Sequence, residues 1–417
     1  MTPDHAAAVP VVPVVAARRS ADSPRVLREI NDRVVLDLLL EHGPMTRGRV
    51  GQLSSLSKPT VSSLLTRLAQ RGLVTTTGVA EGGPGPNARI YAVDPSAGHV
   101  LVLHVEQHGS VATLADITGA VVAAHAVEVP SRRASDPAEE ARRAIDGVLA
   151  AAALPASAVR LLMIVTPGVI DPVTGRLRHA RHLHGWEESG LPERLSAEFG
   201  MQVRYGNDVN LAAVAEGRSG AARGRSDYAL LWLGRGVGLG LVLDGRVRLG
   251  AHGGAGEIGY LPVPGVEHPR VDRGGAGAFQ QLVGGQGLRA LAKRHGIRSS
   301  NVPEEVVRSA LLAAESGGHA LLAELAEGIA QGVSAVTALI DPGLLVIGGP
   351  VAAAGGAELV DLVRAAMAQW SFVRPEIVAS QLAGDGVVAG AVEEAVREIR
   401  ETVFGDAGAE QSSGTGA

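Results

Sequence analysis

The 417-residue sequence contains no cysteine, which excludes disulfides, thiol nucleophiles and cysteine-ligated zinc. It has no apolar run near the roughly 20 residues that span a bilayer. The opening stretch MTPDHAAAVPVVPVVAARRS is apolar in part. It carries no basic residue ahead of that part and two prolines within it, the reverse of a secretion signal. A cytoplasmic protein without membrane contact is expected. An excess of positive charge is missing too, since the formal net charge is -5, so the protein is not coated in basic surface. No short tandem repeat is present.

What is present is a large apolar share, 46% hydrophobic against 19% charged residues, enough for a substantial core. The length exceeds one compact domain. Charge is uneven: between Arg25 and Asp94 nine basic residues face six acidic ones. A slightly basic small domain on a more acidic larger one suits a nucleic-acid binder joined to a sensor or an enzyme.

Four segments follow from pattern. Residues 1–24, rich in Ala, Val and Pro, and the small polar tail 405–417 read as disordered arms. Between them, 25–95 and 98–404 read as folded domains. In LREINDRVVLDLLLEHG the residues Leu27, Ile30, Val34, Val35, Leu38 and Leu39 share one helical face, and Gly43-Pro44 ends the helix. Thr46 can cap a short second helix. A third follows the turn SSLS, with Val61, Leu64, Leu65 and Leu68 at helical spacing, Pro59 in its first turn and Gly72 after its end. The β-like runs LVTTTGV and ARIYAV flank AEGGPGPN, a hairpin tip. Three short helices and a hairpin make a winged helix-turn-helix.

The face of the third helix opposite its apolar stripe carries Lys58, Thr60, Ser62, Ser63, Thr66, Arg67 and Gln70. Short hydroxyls permit close approach to a major groove, while Lys and Arg meet phosphates or guanine edges. Arg89, near the base of the wing, adds a candidate backbone or minor-groove contact. Beyond His99, strand runs alternate with Ala-rich helices, as in an α/β body. Asn207-Asp208 follows a strand and precedes a helix. A carboxamide and a carboxylate there can donate to and accept from vicinal sugar hydroxyls. Asp208 at such a junction could equally cap the helix. Three histidines in RHARHLHGW (His179, His182, His184) have no further ligand at metal spacing, so no metal site is expected. His184 could meet a ligand near Trp186.

The ordered segments RLLMIVTPGVIDPVTGRL, HLHGW, YGNDVNLAAVAEG and LGRGVGLGLVLDGRVRLGAHGGAGEIGYLPV resemble the ROK family of sugar kinases and repressors, over about residues 100–403. The N-terminal domain resembles the one that ROK repressors carry and ROK kinases lack. The resemblance implies a two-lobed actin-like α/β body closing over a sugar cleft. It implies a catalytic-base position at Asp208, a sugar-binding Glu257 and a substrate-side loop at Pro167-Gly168. Departures are concentrated at the chemistry. Where the kinases have the phosphate loop Asp-x-Gly-Gly-Thr, this sequence has His104, Glu106, Gln107 and His108, whose side chains would block and repel phosphate. The second Gly-rich segment carries Arg235 where the family has Thr. The family's zinc site is replaced: Tyr260 stands for its His, Val271, Arg273 and Ala278 for its cysteines, and Gln280 for a sugar-binding Glu.

These features make a DNA-binding regulator, a repressor of carbohydrate-related genes, the leading expectation. It would have no catalytic residue and no cofactor, and would act as a homodimer or higher homo-oligomer on a duplex operator. Gly168, Asn207, Asp208, Glu257, Tyr260 and Gln280 are the candidate contacts to a sugar or sugar-derivative effector. The alternatives are a ROK sugar kinase with an added DNA-binding arm and an orphan regulator with no small ligand.

Overall fold

The computed structural model describes residues 24–80, 88–129, 136–180, 183–267, 276–382 and 386–405. The two terminal arms expected from composition, residues 1–24 and 405–417, lie outside this set except for their innermost residues. The chain divides into two compact units, one holding the described residues up to Asp94 and those from Glu401, the other Pro95–Arg400.

The first unit begins with α1 (Pro24–His42), β1 (Met45–Thr46), α2 (Arg47–Ser54) and α3 (Lys58–Gln70), followed by β2 (Val74–Ala80) and β3 (Ala88–Val93). Thr46 caps α2 by accepting from the Arg49 amide at 3.4 Å. Ser57 caps α3 by accepting from the Thr60 amide at 3.4 Å. The hairpin forms a small antiparallel sheet in the order β1-β3-β2. Val61, Leu64, Leu65 and Leu68 of α3 are all buried, as their spacing requires. The first helix is turned differently from its expected face. Leu27 and Ile30 are 50% exposed and Val34 39%, while Asp32, Val35, Leu36 and Leu39 are buried. The reason is electrostatic as well as apolar, because Asp32 is drawn inward by two arginines of the third helical segment, described below.

The second unit holds two five-stranded sheets. The first is built from β4 (His99–Glu106), β5 (Gly109–Asp116), β6 (Val121–Glu128), β7 (Val159–Thr166) and, after the two-residue strands β8 (Val169–Ile170) and β9 (Leu177–Arg178), β10 (Gln202–Asn207). Its order is β10-β7-β4-β5-β6, with β4 parallel to β7 and antiparallel to β5. The second sheet is built from β11 (Tyr228–Leu233), β12 (Val237–Leu243), β13 (Arg246–Val247), β14 (Leu344–Gly348) and β15 (Glu376–Ala379), in the order β13-β12-β11-β14-β15. Each sheet is therefore a three-strand meander whose first strand continues, in parallel, into two crossover strands. The same topology occurs twice in one unit, as in an actin-like body of two lobes.

The helices cover these sheets: α4 (Pro137–Ala152), α5 (Leu191–Phe199), α6 (Asp208–Ser219), α7 (Ala278–Val283), α8 (Gly285–Arg294), α9 (Pro303–Leu312), α10 (Gly318–Ile340), α11 (Pro350–Trp370) and α12 (Gly386–Gly405). Each lobe has its own apolar core. Leu101, Leu103, Leu162 and Ile164 meet Ile145 and Val148 of α4 in one. Leu231, Leu345 and Ile347 meet Phe279, Leu325 and Ile329 in the other. Burial of this kind contributes about 25 cal/mol per Å² of apolar surface. It makes each lobe stiff and leaves their facing strand ends, where the loops are, as the adaptable region. No helix among the described residues is long and apolar enough to cross a membrane.

Candidate functional site

Two sites arise, one in each unit. In the first unit, Lys58, Thr60, Ser63 and Thr66 are exposed on α3, Ser62 is half-buried and Gln70 is exposed. Several of these groups have internal partners. Thr66 Oγ1 donates to the Ser62 carbonyl at 3.0 Å, and Thr60 Oγ1 shares a 2.8 Å hydrogen bond with the capping Ser57 hydroxyl. Ser62 Oγ accepts from Arg47 Nη1 at 3.0 Å. Arg89 is exposed on β3, while the wing tip beyond Ala80 lies outside the described residues.

Arg67 is placed otherwise than a reading residue would be. Its Nε donates to Asp32 Oδ2 at 3.3 Å and its Nη2 to Asp32 Oδ1. Arg71 Nη1 lies 3.8 Å from the same carboxylate. With its side chain only 5% exposed, Asp32 needs those cations, since an uncompensated buried carboxylate costs several kcal/mol. Arg67 thus ties α3 to α1, with its side chain 36% exposed. Sequence reasoning passed over Arg47 and Arg49, both exposed in the first turn of α2. The signal available was their position just after the capping Thr46, two cations at a helix start that the helix dipole does not favour.

In the second unit, a cleft of about 960 Å³ opens at the C-terminal ends of β4, β7, β10 and β11. This is the crevice where strand order reverses in an open α/β sheet. His104, Glu106, Gln107 and His108 line it from the β4–β5 hairpin, Pro167, Gly168, Asn207 and Asp208 from the same lobe. Arg235, Glu257, Tyr260, Gln280 and Glu304 line it from the other. All six candidate ligand contacts thus fall on one cavity, although they come from segments more than a hundred residues apart.

Their individual geometry differs. Asn207, not Asp208, caps α6: its Oδ1 accepts from the Asn210 amide at 2.9 Å and its Nδ2 donates to the Gly168 carbonyl at 2.9 Å. Its amide group therefore braces the substrate-side loop. Gly168 sits at φ +120°, and a Cβ there would come within 2.9 Å of the Arg178 carbonyl oxygen, so a side chain would push that loop apart. Asp208 is the first residue of α6, and its Oδ1 accepts from the Val209 amide at 2.8 Å. Burial raises its carboxyl above the ordinary carboxylate range, Glu106 adds to the rise, and the Val209 amide and His104 oppose it. Glu257 is likewise raised, first by burial and then by the charge of Asp208. The two carboxyls thus share one low-dielectric space and repel each other. Glu257 reaches it because Gly256, at φ +88°, lets the segment run against β12: a Cβ would meet the Leu239 carbonyl oxygen at 1.9 Å.

Gln280 has a different task from a sugar contact. Its Oε1 accepts from the Val237 amide at 2.8 Å and its Nε2 donates to the Arg235 carbonyl at 2.9 Å. A single side chain clamps the turn between β11 and β12. That turn presents Arg235, whose Nη1 donates to Gln107 Oε1 on the β4–β5 hairpin. The β4–β5 hairpin and the β11–β12 turn are thereby joined to each other across the cleft.

The residues at the family's zinc position do not fit a zinc ion. Val271 and Arg273 lie outside the described residues. Ala278 is buried at the start of α7 and its methyl side chain has no donor atom. Among the described residues no group of three His, Asp or Glu could hold a metal ion. Of the three neighbouring histidines, His182 lies outside the described residues, His179 lines the cleft and His184 is exposed. Trp186 is fully buried, so it is a core residue and no ligand contact through it is available to His184.

Comparison with known proteins agrees with both units. The ROK family model matches residues 107–395, and an IclR helix-turn-helix domain model matches residues 34–78. The chain belongs to the ROK family. The N-acetylglucosamine repressor of Escherichia coli O6:H1 is 25% identical over 238 residues, a match that spans 57% of this chain and only 58% of the repressor's own length. The xylose repressor of Caldicellulosiruptor bescii is 23% identical over 386 residues, 88% of this chain and 95% of the other. A solved ROK family transcriptional regulator, a homologue of the E. coli MLC protein, superposes with a TM-score of 0.72 at 20% identity, covering 91% of this chain and 99% of its own. ROK kinases share the fold of the body as well, with TM-scores of 0.60 and 0.58 over 73% and 72% of this chain.

Proposed function

We propose that this ROK-family chain is a DNA-binding transcriptional repressor of carbohydrate-related genes whose body senses a sugar. The observation that carries the reading is the exposed polar face of α3, Lys58, Thr60 and Ser63, on a capped recognition helix in a chain that also encloses a sugar-sized cleft. Two relatives named as sugar repressors, for N-acetylglucosamine and for xylose, support it. Lys58 and Arg47 meet phosphates, while Ser63, with Thr60 beside it, approaches base edges. The chain acts in the cytoplasm as a homodimer, placing two recognition helices about 34 Å apart or a multiple of that. Sugar binding closes the lobes and moves the helix pair off that spacing, a coupling of about 1–3 kcal/mol.

The chain is not an enzyme in this reading. Phosphoryl transfer depends on positioning and on stabilising charge. The hairpin that would cradle phosphate instead offers Glu106 and Gln107, the latter tied to Arg235. Asp208 then orients a sugar hydroxyl without a phosphoryl group to receive its attack.

Fluorescence anisotropy with duplexes tiled across the genomic neighbourhood tests the proposal. A salt-sensitive complex that a sugar dissolves is expected. Absence of binding to every duplex would overturn the repressor assignment, and ATP consumption with any hexose would restore the kinase reading.

A further inference from the structure

Three hydroxyls on α3 are engaged inside the protein. Thr60 Oγ1 shares a 2.8 Å hydrogen bond with Ser57, Ser62 Oγ accepts from Arg47 Nη1 at 3.0 Å, and Thr66 Oγ1 donates to the Ser62 carbonyl at 3.0 Å. Thr66 is the case that matters for DNA. A threonine hydroxyl has one proton, and here it is used one helical turn back. None is left to donate to a base acceptor such as guanine N7 or O6. Its methyl group makes no such bond, and the residue is exposed.

The surface around Thr66 is low and partly apolar. Pro59, Ser63 and Thr66 follow at i, i+4 and i+7, and all three are exposed. They form one row along the helix, opposite the buried Val61, Leu64, Leu65 and Leu68. In a helix laid in a major groove, the row opposite the core is the one nearest the base edges. It presents two carbon surfaces, the Pro59 ring and the Thr66 methyl, and no charge. The long polar residues stand elsewhere. Lys58 begins α3, Gln70 ends it, and Arg67 lies on Asp32 through Nε and Nη2.

In the major groove thymine alone presents a methyl group, at C5. We infer that Thr66 is a specificity-determining residue whose methyl group packs, beside Pro59, on the C5-methyl of a thymine in each half-site. This deepens the DNA-binding reading and rests on it. Taking one methyl out of such a contact costs roughly fourfold in affinity. The rival contact uses the Thr66 oxygen, which keeps lone pairs able to accept from adenine N6 or cytosine N4. The two contacts make opposite predictions for a valine.

The test begins with the full chain selecting a tight-binding duplex from a random-sequence library. Fluorescence anisotropy then compares that duplex with copies carrying deoxyuridine for thymidine at single positions, a change that removes only the methyl. At one position in each half-site this should weaken binding roughly fourfold. Thr66→Val keeps the methyl and discards the hydroxyl, and should bind within about twofold of the native chain. Thr66→Ser does the reverse. It should bind roughly fourfold more weakly per half-site and no longer respond to deoxyuridine at that position. Melting curves check that both variants are folded.

A selected site without thymine, or unchanged binding to every deoxyuridine duplex, overturns the inference and leaves the repressor reading in place. Thr66→Val binding as weakly as Thr66→Ser assigns the contact to the hydroxyl and overturns it as well. A selection that enriches no sequence overturns the DNA-binding reading itself, and the inference with it.

Discussion

Arg67 shows how one residue type can serve two ends. From its place on the polar face of α3 it looks like a DNA contact, yet it lies on the buried Asp32 together with Arg71. Replacing it should therefore act on stability first. Arg67→Ala is expected to cost about 1–3 kcal/mol in urea denaturation, the usual penalty for leaving a buried acceptor short of a partner. Lys58→Ala, on the exposed surface, should leave stability within about 0.5 kcal/mol and weaken DNA binding, with a shallower salt dependence by about one phosphate contact. If the two variants behave alike in both measurements, the division between bracing and reading residues fails.

Asp208 makes a second case at this scale. Its carboxyl and that of Glu257 are raised from their ordinary values of 3.8 and 4.5, in both cases chiefly by burial. A carboxyl with a raised folded-state value favours the protonated fold. Its stabilising contribution is complete below the ordinary value and is lost as pH rises through the folded one. These two carboxyls should accordingly take stability from the unliganded body as pH climbs above about 4, against the opposite contribution of Asp171, Glu198 and Asp227, whose values are lowered. Asp208→Asn should remove part of that slope and raise the melting temperature at pH 7, while sugar affinity falls. A variant with an unchanged pH profile would remove Asp208 as the source.

At the scale of elements, caps and turns decide where the working groups stand. Ser57 starts α3, and Ser57→Ala should cost about 0.5–2 kcal/mol and loosen the first turn that carries Lys58. Differential scanning calorimetry would read the first part, anisotropy the second. The helices and strands were legible because their apolar positions repeat at 3.6 or 2 residues. The face that α1 buries was not. Its stripe of Leu27, Ile30 and Val34 is apolar but largely exposed, and the orientation follows from Asp32, a residue that periodicity counts as polar. A pattern of hydrophobicity cannot show that a carboxylate will be paired 35 residues further along.

For the whole molecule, the doubled sheet topology provides two lobes with a cleft at their facing strand ends, and in the proposed function the first unit provides the output. A repressor of this design should titrate DNA as a dimer, and sedimentation of the complex should give two chains per duplex. One chain per duplex would require a different reading of half-site spacing. The same cleft should consume no ATP with glucose, mannose or N-acetylglucosamine in a coupled assay.

The order of the two domains, the three helices and the hairpin of the first, and the absence of cysteine were determined by the sequence alone. Each is a local property: a spacing, a turn residue or a missing atom type is complete within a few neighbouring positions. The partners of polar side chains were decided only by tertiary structure. Arg67 meets Asp32, Gln280 clamps the turn at Arg235, and Arg235 reaches Gln107 from 128 residues away. A polar group is satisfied equally by water or by protein, so its residue type does not say which. Only the path of the chain, which brings distant loops to one cleft, makes that choice.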